Sequence, residues 1–272
     1  MYRIKYRLKQ VKRLTILCLA TLIALCSCTE NAKEEFEKGE AFYKSGNYEK
    51  AISWYKKAAK KGYADAQNSL AYCYAHGKGI SVCSYSLAIP WYKKAAEQGH
   101  AEAQYNLGYC YAEGKDVPQD YKQAVYWYKK AAEKGDADAQ YDLGYCYAHG
   151  KGVNKDYKQA IYWSEKSAKQ GKLLAQKALG DYYEGRDNNK SLYWYRKAAD
   201  RDDEYSQYKL GMYYYKNNDY NNARYWLEKS AEEEYAPAEK ALKELEESIS
   251  NEFDEERSEE ENYSSSKSSR KS

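Results

Sequence analysis

The chain has 272 residues and carries 34 tyrosines against three phenylalanines, three prolines and two methionines. At 43% hydrophobic residues it can build a core, but much of that core must consist of rings bearing a hydroxyl. The formal charge of +3 comes from the N-terminus: residues 1–27 hold six basic side chains and no acid, and without them the net charge is −3, which argues against nucleic acid as a partner.

Residues 1–27 read as an export signal in three parts. Arg3, Lys5, Arg7, Lys9, Lys12 and Arg13 form the basic segment, and Leu14 to Leu25 is an apolar run of 12 residues. That run is too short to span a bilayer as a stable helix. It ends in Leu25-Cys26-Ser27-Cys28, which resembles the bacterial lipobox. Cys28 is the expected acylation site because Ser27 is small, whereas a cut before Cys26 would place bulky Leu25 at the cleavage position. An ordinary cleaved signal peptide is the alternative. Lipidation would hold the protein to the bacterial cell envelope more firmly than one acyl chain can, at the outer membrane or cell surface rather than the inner membrane.

Residues 28–247 are expected to form helix-pair repeats closed by a C-terminal capping helix. All six tryptophans share one register: Trp54, Trp91, Trp127, Trp163, Trp194 and Trp226. Each follows a small residue: Gly39, Ala71, Gly108, Gly144, Gly180 and Gly211. From a tryptophan to the next small residue is always 17, while the distance from small residue to tryptophan varies between 14 and 20. A fixed joint between repeats and a tolerant loop inside each repeat would produce that pattern.

The clearest unit is residues 101–136. Ala103, Leu107, Gly108 and Tyr111 share a face of a first helix, which Glu113-Gly114 ends. Asp120 is the expected N-cap of a second helix whose buried stripe is Ala124, Trp127, Tyr128, Ala131 and Ala132. Gly108 and the alanine pair let the helices approach closely, and the tryptophan fills the space that remains. Neither helix can bury its stripe alone, so the repeats must stack. Residues 248–272, an acidic block followed by a Ser/Lys block, offer almost nothing to bury and are expected to be disordered.

The pattern A-x-A-Q-x-x-L-G-x-x-Y, then G-x-G-V, then A-x-x-W-Y-x-K-A-A-x-x-G, resembles the Sel-one-like repeat (SLR) family, a relative of the tetratricopeptide repeat. Gln67, Gln104, Gln140, Gln176 and Gln207 hold the family's glutamine position. The resemblance implies an all-α, right-handed solenoid of about six antiparallel helix pairs. It also implies that the first helices line a concave side, where Asn68, Tyr72, Tyr105, Tyr109, Tyr141, Tyr145, Lys177, Asp181, Tyr208 and Met212 would point inward. Glu102 and Asp138 would lie beside this ladder. Tyrosine is large, stiff and polar at its tip, which suits a protein or peptide ligand. The alternative is that tyrosine is only the chain's filler, since it also crowds outward positions such as Tyr126 and Tyr162.

Cys73, Cys110 and Cys146 occupy one repeat position, and equivalent helices in adjacent repeats lie about 8–10 Å apart, beyond disulfide reach. Cys73 and Cys83 are the only pair close enough in sequence to bridge easily, and an exported location permits it. The cysteine-rich branch of the family has two cysteines per repeat, which this chain lacks, so that branch's activity toward β-lactams does not carry over. His76 and His149 end first helices, where a histidine favours the negative end of the dipole.

No zinc spacing, HExxH, phosphate loop or GxSxG occurs, so no catalytic centre, cofactor or metal is expected. The reading is a membrane-anchored interaction scaffold with a tyrosine-rich concave groove; the alternative is a cell-envelope hydrolase or accessory factor acting on cell-wall material. If Cys28 carries lipid, Cys28→Ser should move the protein to the soluble fraction and abolish labelling by a clickable fatty acid. Equal membrane association of variant and parent would refute the anchor.

Overall fold

The computed structural model describes residues 30–269, and all the regular structure among them is helical. The expected signal peptide over residues 1–27 and the expected acylation site, Cys28, lie outside the described residues. The helices are α1 (residues 30–44), α2 (Tyr48–Lys60), α3 (Ala64–Ala75), α4 (Tyr85–Glu97), α5 (Ala101–Glu113), α6 (Tyr121–Glu133) and α7 (Ala137–His149). They continue as α8 (Tyr157–Lys169), α9 (Leu173–Tyr183), α10 (Asn188–Ala199), α11 (Glu204–Lys216), α12 (Tyr220–Glu232) and α13 (Ala236–Ser269). Odd-numbered helices are the first of each pair and even-numbered the second. The chain divides into two compact units, one ending at Ser167 and one beginning at Ala168, and each is a stack in which successive helices pack on one another.

Local chemistry sets the ends of these helices. Gly114 closes α5 at φ 65° and Gly150 closes α7 at φ 69°, left-handed positions that cost glycine little. Asp120 caps α6 as its sequence position predicts, accepting from the backbone N–H of Lys122 at 2.9 Å and of Gln123 at 3.1 Å. Inside the loops, a Cβ on Gly79 would come within 2.6 Å of the Tyr48 carbonyl carbon, so this loop docks on the start of the preceding second helix. The third pair has Asp116 at the corresponding place, with φ 53°. Its carboxylate accepts from the Ser86 N–H at 2.8 Å, so the side chain that breaks the glycine pattern caps α4 instead.

Packing within a pair rests on a close approach at the small residue. A Cβ on Gly108 would sit 2.7 Å from Cδ1 of Tyr128, and one on Gly180 would sit 2.5 Å from Cδ1 of Tyr195. The side chain pressed onto the glycine is therefore the residue after the tryptophan. One step along a helix is about 100°, so the tryptophan turns away from its own pair. Trp127 joins the core built by α2 to α5, and Trp163 joins the one built by α5 to α7, each packing on helices that precede its own. Trp127 is 8% exposed and Tyr126, one residue earlier, is 51% exposed.

The C-terminal segment differs from its composition. α13 continues through residue 269, where a disordered tail from 248 was expected. Its first turns are anchored by buried Ala238, Ala241 and Leu245, and Tyr215 and Ser248 hydroxyls meet at 2.8 Å. Nucleation is the costly step of a helix, and here packing has already met it; no glycine or proline follows Pro237 to stop propagation.

Trp127→Ala should cost about 3–5 kcal/mol in a denaturant titration, and Tyr126→Ala less than half of that. Gly108→Ala, which adds one methyl group, should cost about 1–3 kcal/mol through overpacking against Tyr128. Comparable losses at positions 126 and 127 would show the two faces to be misassigned.

Candidate functional site

Second helices carry the tryptophans that pack into the joints, and first helices keep part of their surface open. In the first unit, Tyr105 and Tyr109 of α5, Tyr121 and Tyr128 of α6, and Tyr141 and Tyr145 of α7 line one open cavity of about 360 Å³. Tyr128 is its buried floor, and Tyr105 stacks on it with ring centroids 5.8 Å apart. Tyr145 is 40% exposed and forms the rim. Glu113, Asp142 and Lys151 supply the charges. The Lys151 ammonium donates to the Tyr121 hydroxyl at 3.3 Å and lies 4.9 Å from the ring centres of both Tyr121 and Tyr145. These hydroxyl contacts, Tyr121 first, raise the lysine's affinity for its proton.

Two phenols of the cavity, those of Tyr105 and Tyr141, hold their protons more tightly than usual. Burial pushes Tyr105 up, and the Asp142 carboxylate beside it adds to the effect; Tyr141 is pushed up by burial and then by Asp142. Each is thus a neutral donor at the end of a rigid ring, a combination suited to peptide carbonyls and apolar side chains together.

Four of the expected ladder residues, Tyr105, Tyr109, Tyr141 and Tyr145, come together in this cavity. Tyr72 and Glu102 line a different one, of about 180 Å³, with Glu40, Tyr43, Tyr55, Asn68 and Ser69. Asp142 of α7 lines the tyrosine cavity, and the charge of Asp138, one turn earlier on the same helix, also acts on Tyr105. Asp142 follows Tyr141 directly, so its sequence position alone was no signal. Tyr208 belongs to the second unit, where its ring packs on Tyr235 at 5.5 Å.

The remaining candidates have structural places. His76 and His149 hydrogen-bond through Nδ1 to the carbonyls of Tyr72 at 3.0 Å and Tyr145 at 2.9 Å, closing their helix ends as expected. Their rings lie on those same tyrosines, at 4.0 and 4.1 Å. Cys73 and Cys83 are both free thiols, so the bridge that chain proximity allowed is not made. Cys73 turns into the core and Cys83 stays on the exposed loop. Asp136, pushed up by burial, caps α7 by accepting from the Ala139 N–H at 2.7 Å. No group of three or more His, Cys, Asp or Glu side chains suited to a metal ion occurs among the described residues.

Comparison with known proteins gives a consistent picture. The Sel1 repeat matches six consecutive segments: 32–63, 64–100, 101–136, 137–172, 173–203 and 204–235. A protective antigen present in uropathogenic Escherichia coli strains, displaying an SLR fold, is 35% identical over 81% of this chain, with a TM-score of 0.75. This chain spans 50% of that protein's length. A Sel1 repeat protein from Oxalobacter formigenes is 33% identical over 76% of this chain and 86% of its own, with a TM-score of 0.68. No curated protein matches this chain.

Burial raises the thiols of Cys73, Cys110 and Cys146 from 9.0 to about 12. Two outcomes follow from that shift. Maleimide at neutral pH should modify Cys83 rapidly and the three buried cysteines only after denaturation. Because the folded protein holds these protons more tightly than the unfolded chain, their contribution to stability is complete below pH 9 and is lost as pH rises toward 12. Denaturation midpoints measured across that interval should fall; a flat profile would contradict the burial of the thiols.

Proposed function

We propose, from the premise that this chain belongs to the Sel1 repeat family of protein-interaction scaffolds, that it binds a peptide segment of a protein partner in the tyrosine cavity between α5 and α7. Sel1 repeats generally mediate protein–protein contact. The observation that carries the finer reading is the gathering of six tyrosines around one cavity of about 360 Å³. Ligand pockets generally fall within roughly 300–1,000 Å³, and tyrosine is among the residue types that dominate binding energy at interfaces. A cavity of this size takes one or two side chains of an extended segment, while the hydroxyls at its edge reach the peptide backbone.

The anchor belongs to the same proposal. The lipobox-like Leu25-Cys26-Ser27-Cys28 supports a lipid on Cys28, which would hold the repeats at the cell envelope, at the outer membrane or cell surface. Attachment to a membrane restricts the search for a partner to that surface.

The test uses Tyr109 and Tyr145, the members of the cavity that follow the small residue on α5 and α7. A photo-crosslinking amino acid at Tyr109 should capture the partner in intact membranes and locate the bound segment by mass spectrometry. Tyr109→Ala combined with Tyr145→Ala should then weaken binding of that segment at least tenfold, with helical circular dichroism and thermal midpoint retained. Full affinity in a stable double variant would move the interaction off this cavity. A collapsed fold would show the rings to be core.

A further inference from the structure

The smaller cavity differs in chemistry from the tyrosine cavity, although both are built on first helices. Glu40 of α1 occupies the position that Tyr109 and Tyr145 occupy in their repeats, directly after the small residue. Asn68 of α3 occupies the position of Tyr105 and Tyr141, three before it. The ladder therefore changes at this end from phenols to a carboxylate and an amide. Glu102 of α5 adds a second carboxylate, and no basic side chain lines the cavity.

Two details of the site indicate a ligand rather than a solvated acidic face. Asn68 is only 5% exposed, and its Oδ1 is buried with no hydrogen-bond partner. A buried acceptor left without a donor is costly, so an amide held in this way marks a place where a donor belongs. Glu40 is held in position: its Oε1 accepts from the Tyr55 hydroxyl at 2.6 Å, and Tyr55 is buried in the core. Burial, with the Glu40 carboxylate next, pushes the Tyr55 phenol far up, so the proton of this hydrogen bond stays on the tyrosine. The rings of Tyr43 and Tyr72 complete the wall. Two carboxylates, an unpartnered amide oxygen and aromatic faces are all acceptors of positive charge.

We propose that this pocket receives one lysine or arginine side chain of the bound peptide, its charged head between Glu40, Glu102 and Asn68 Oδ1 and its stem along Tyr43 and Tyr72. The inference rests on the peptide-binding reading above. Glu102 of this cavity and Tyr105 of the tyrosine cavity lie three residues apart on α5, one turn of helix, so one extended peptide along α5 can enter both. The volume of about 180 Å³ admits a single long side chain.

The probe is a random peptide library displayed on phage, selected on the immobilised protein covering residues 28–272, with its consensus peptide then measured by fluorescence anisotropy. A lysine or arginine should recur at one position of the selected peptides. Its replacement by uncharged norleucine should weaken binding at least tenfold. Glu102→Gln, an exposed substitution that leaves the fold intact, should weaken binding of the parent peptide by a similar factor and the norleucine peptide hardly at all. Selected peptides without a recurring basic residue, or equal losses for both peptides on Glu102→Gln, would overturn the pocket while leaving the peptide scaffold standing, provided the Tyr109 and Tyr145 double variant still loses binding. A library that yields no binder would overturn both.

Discussion

Each joint between helix pairs depends on one buried carbonyl. A helix ends with carbonyls that have no partner in the helix, and at the joints the next pair covers them from water. The side-chain Nε2 of Gln67 donates to the Ala59 carbonyl at 3.1 Å, Gln104 to Ala96 at 3.0 Å, and Gln140 to Ala132 at 3.1 Å. In the second unit Gln176 serves Ala168 at 3.1 Å and Gln207 serves Ala199 at 3.4 Å. Donor and acceptor are always eight residues apart, so the turn between them has one length. Adding a residue would rotate the next helix by about 100° and carry the amide away from its carbonyl. This accounts for the constant spacing of 17 from tryptophan to the next small residue.

The same glutamines show how the joints differ. Gln67 also accepts from Gln98 Nε2 at 2.7 Å, which links two successive second-helix ends through the joint. At the next joint the residue matching Gln98 is Lys134, which bonds to the Gly99 carbonyl at 2.6 Å instead, and Gln104 Oε1 is left buried without a partner. Arg201 bonds to the Gly171 carbonyl in the same manner, and Gln176 Oε1 is likewise unpartnered. A charged donor prefers the more exposed glycine carbonyl, where its own charge remains solvated. The clamp on the alanine carbonyl thus persists while the surrounding bonds vary.

Three consecutive aromatic residues on α6 illustrate how the fold separates structure from site. Tyr126 is exposed, Trp127 enters the preceding core and Tyr128 presses on Gly108, each about 100° around the helix from the last. Tyr126 meets Trp127 edge-on at 4.9 Å, and Tyr225 meets Trp226 at the same distance. The second helices and the joints therefore have little freedom to change. First-helix positions after the small residue are freer: Glu40, Tyr109, Tyr145 and Asp181 all occur there. Asp181 accepts the hydroxyls of Tyr195 at 2.6 Å and Tyr205 at 2.7 Å, so in the second unit that position serves packing. One scaffold can carry different chemistries because those chemistries sit where the packing does not need a particular side chain.

Periodicity by itself determined that the chain is a stack of helix pairs, which helices are first and second, where they end at Gly114 and Asp120, and which residues build the core. Those features follow from helical spacing and backbone preferences, which are local. It also placed Tyr105, Tyr109, Tyr141 and Tyr145 on one surface, because equivalent positions of adjacent repeats must lie side by side. Tertiary structure decided what spacing cannot express. It pressed Tyr128 onto Gly108 and set Asp142 in the lining of the tyrosine cavity. It left Cys73 and Cys83 unbonded, and it carried α13 past residue 247 from a packed first turn. Each of these depends on the direction of a side chain relative to a neighbour from another helix, and that direction exists only once the helices have packed.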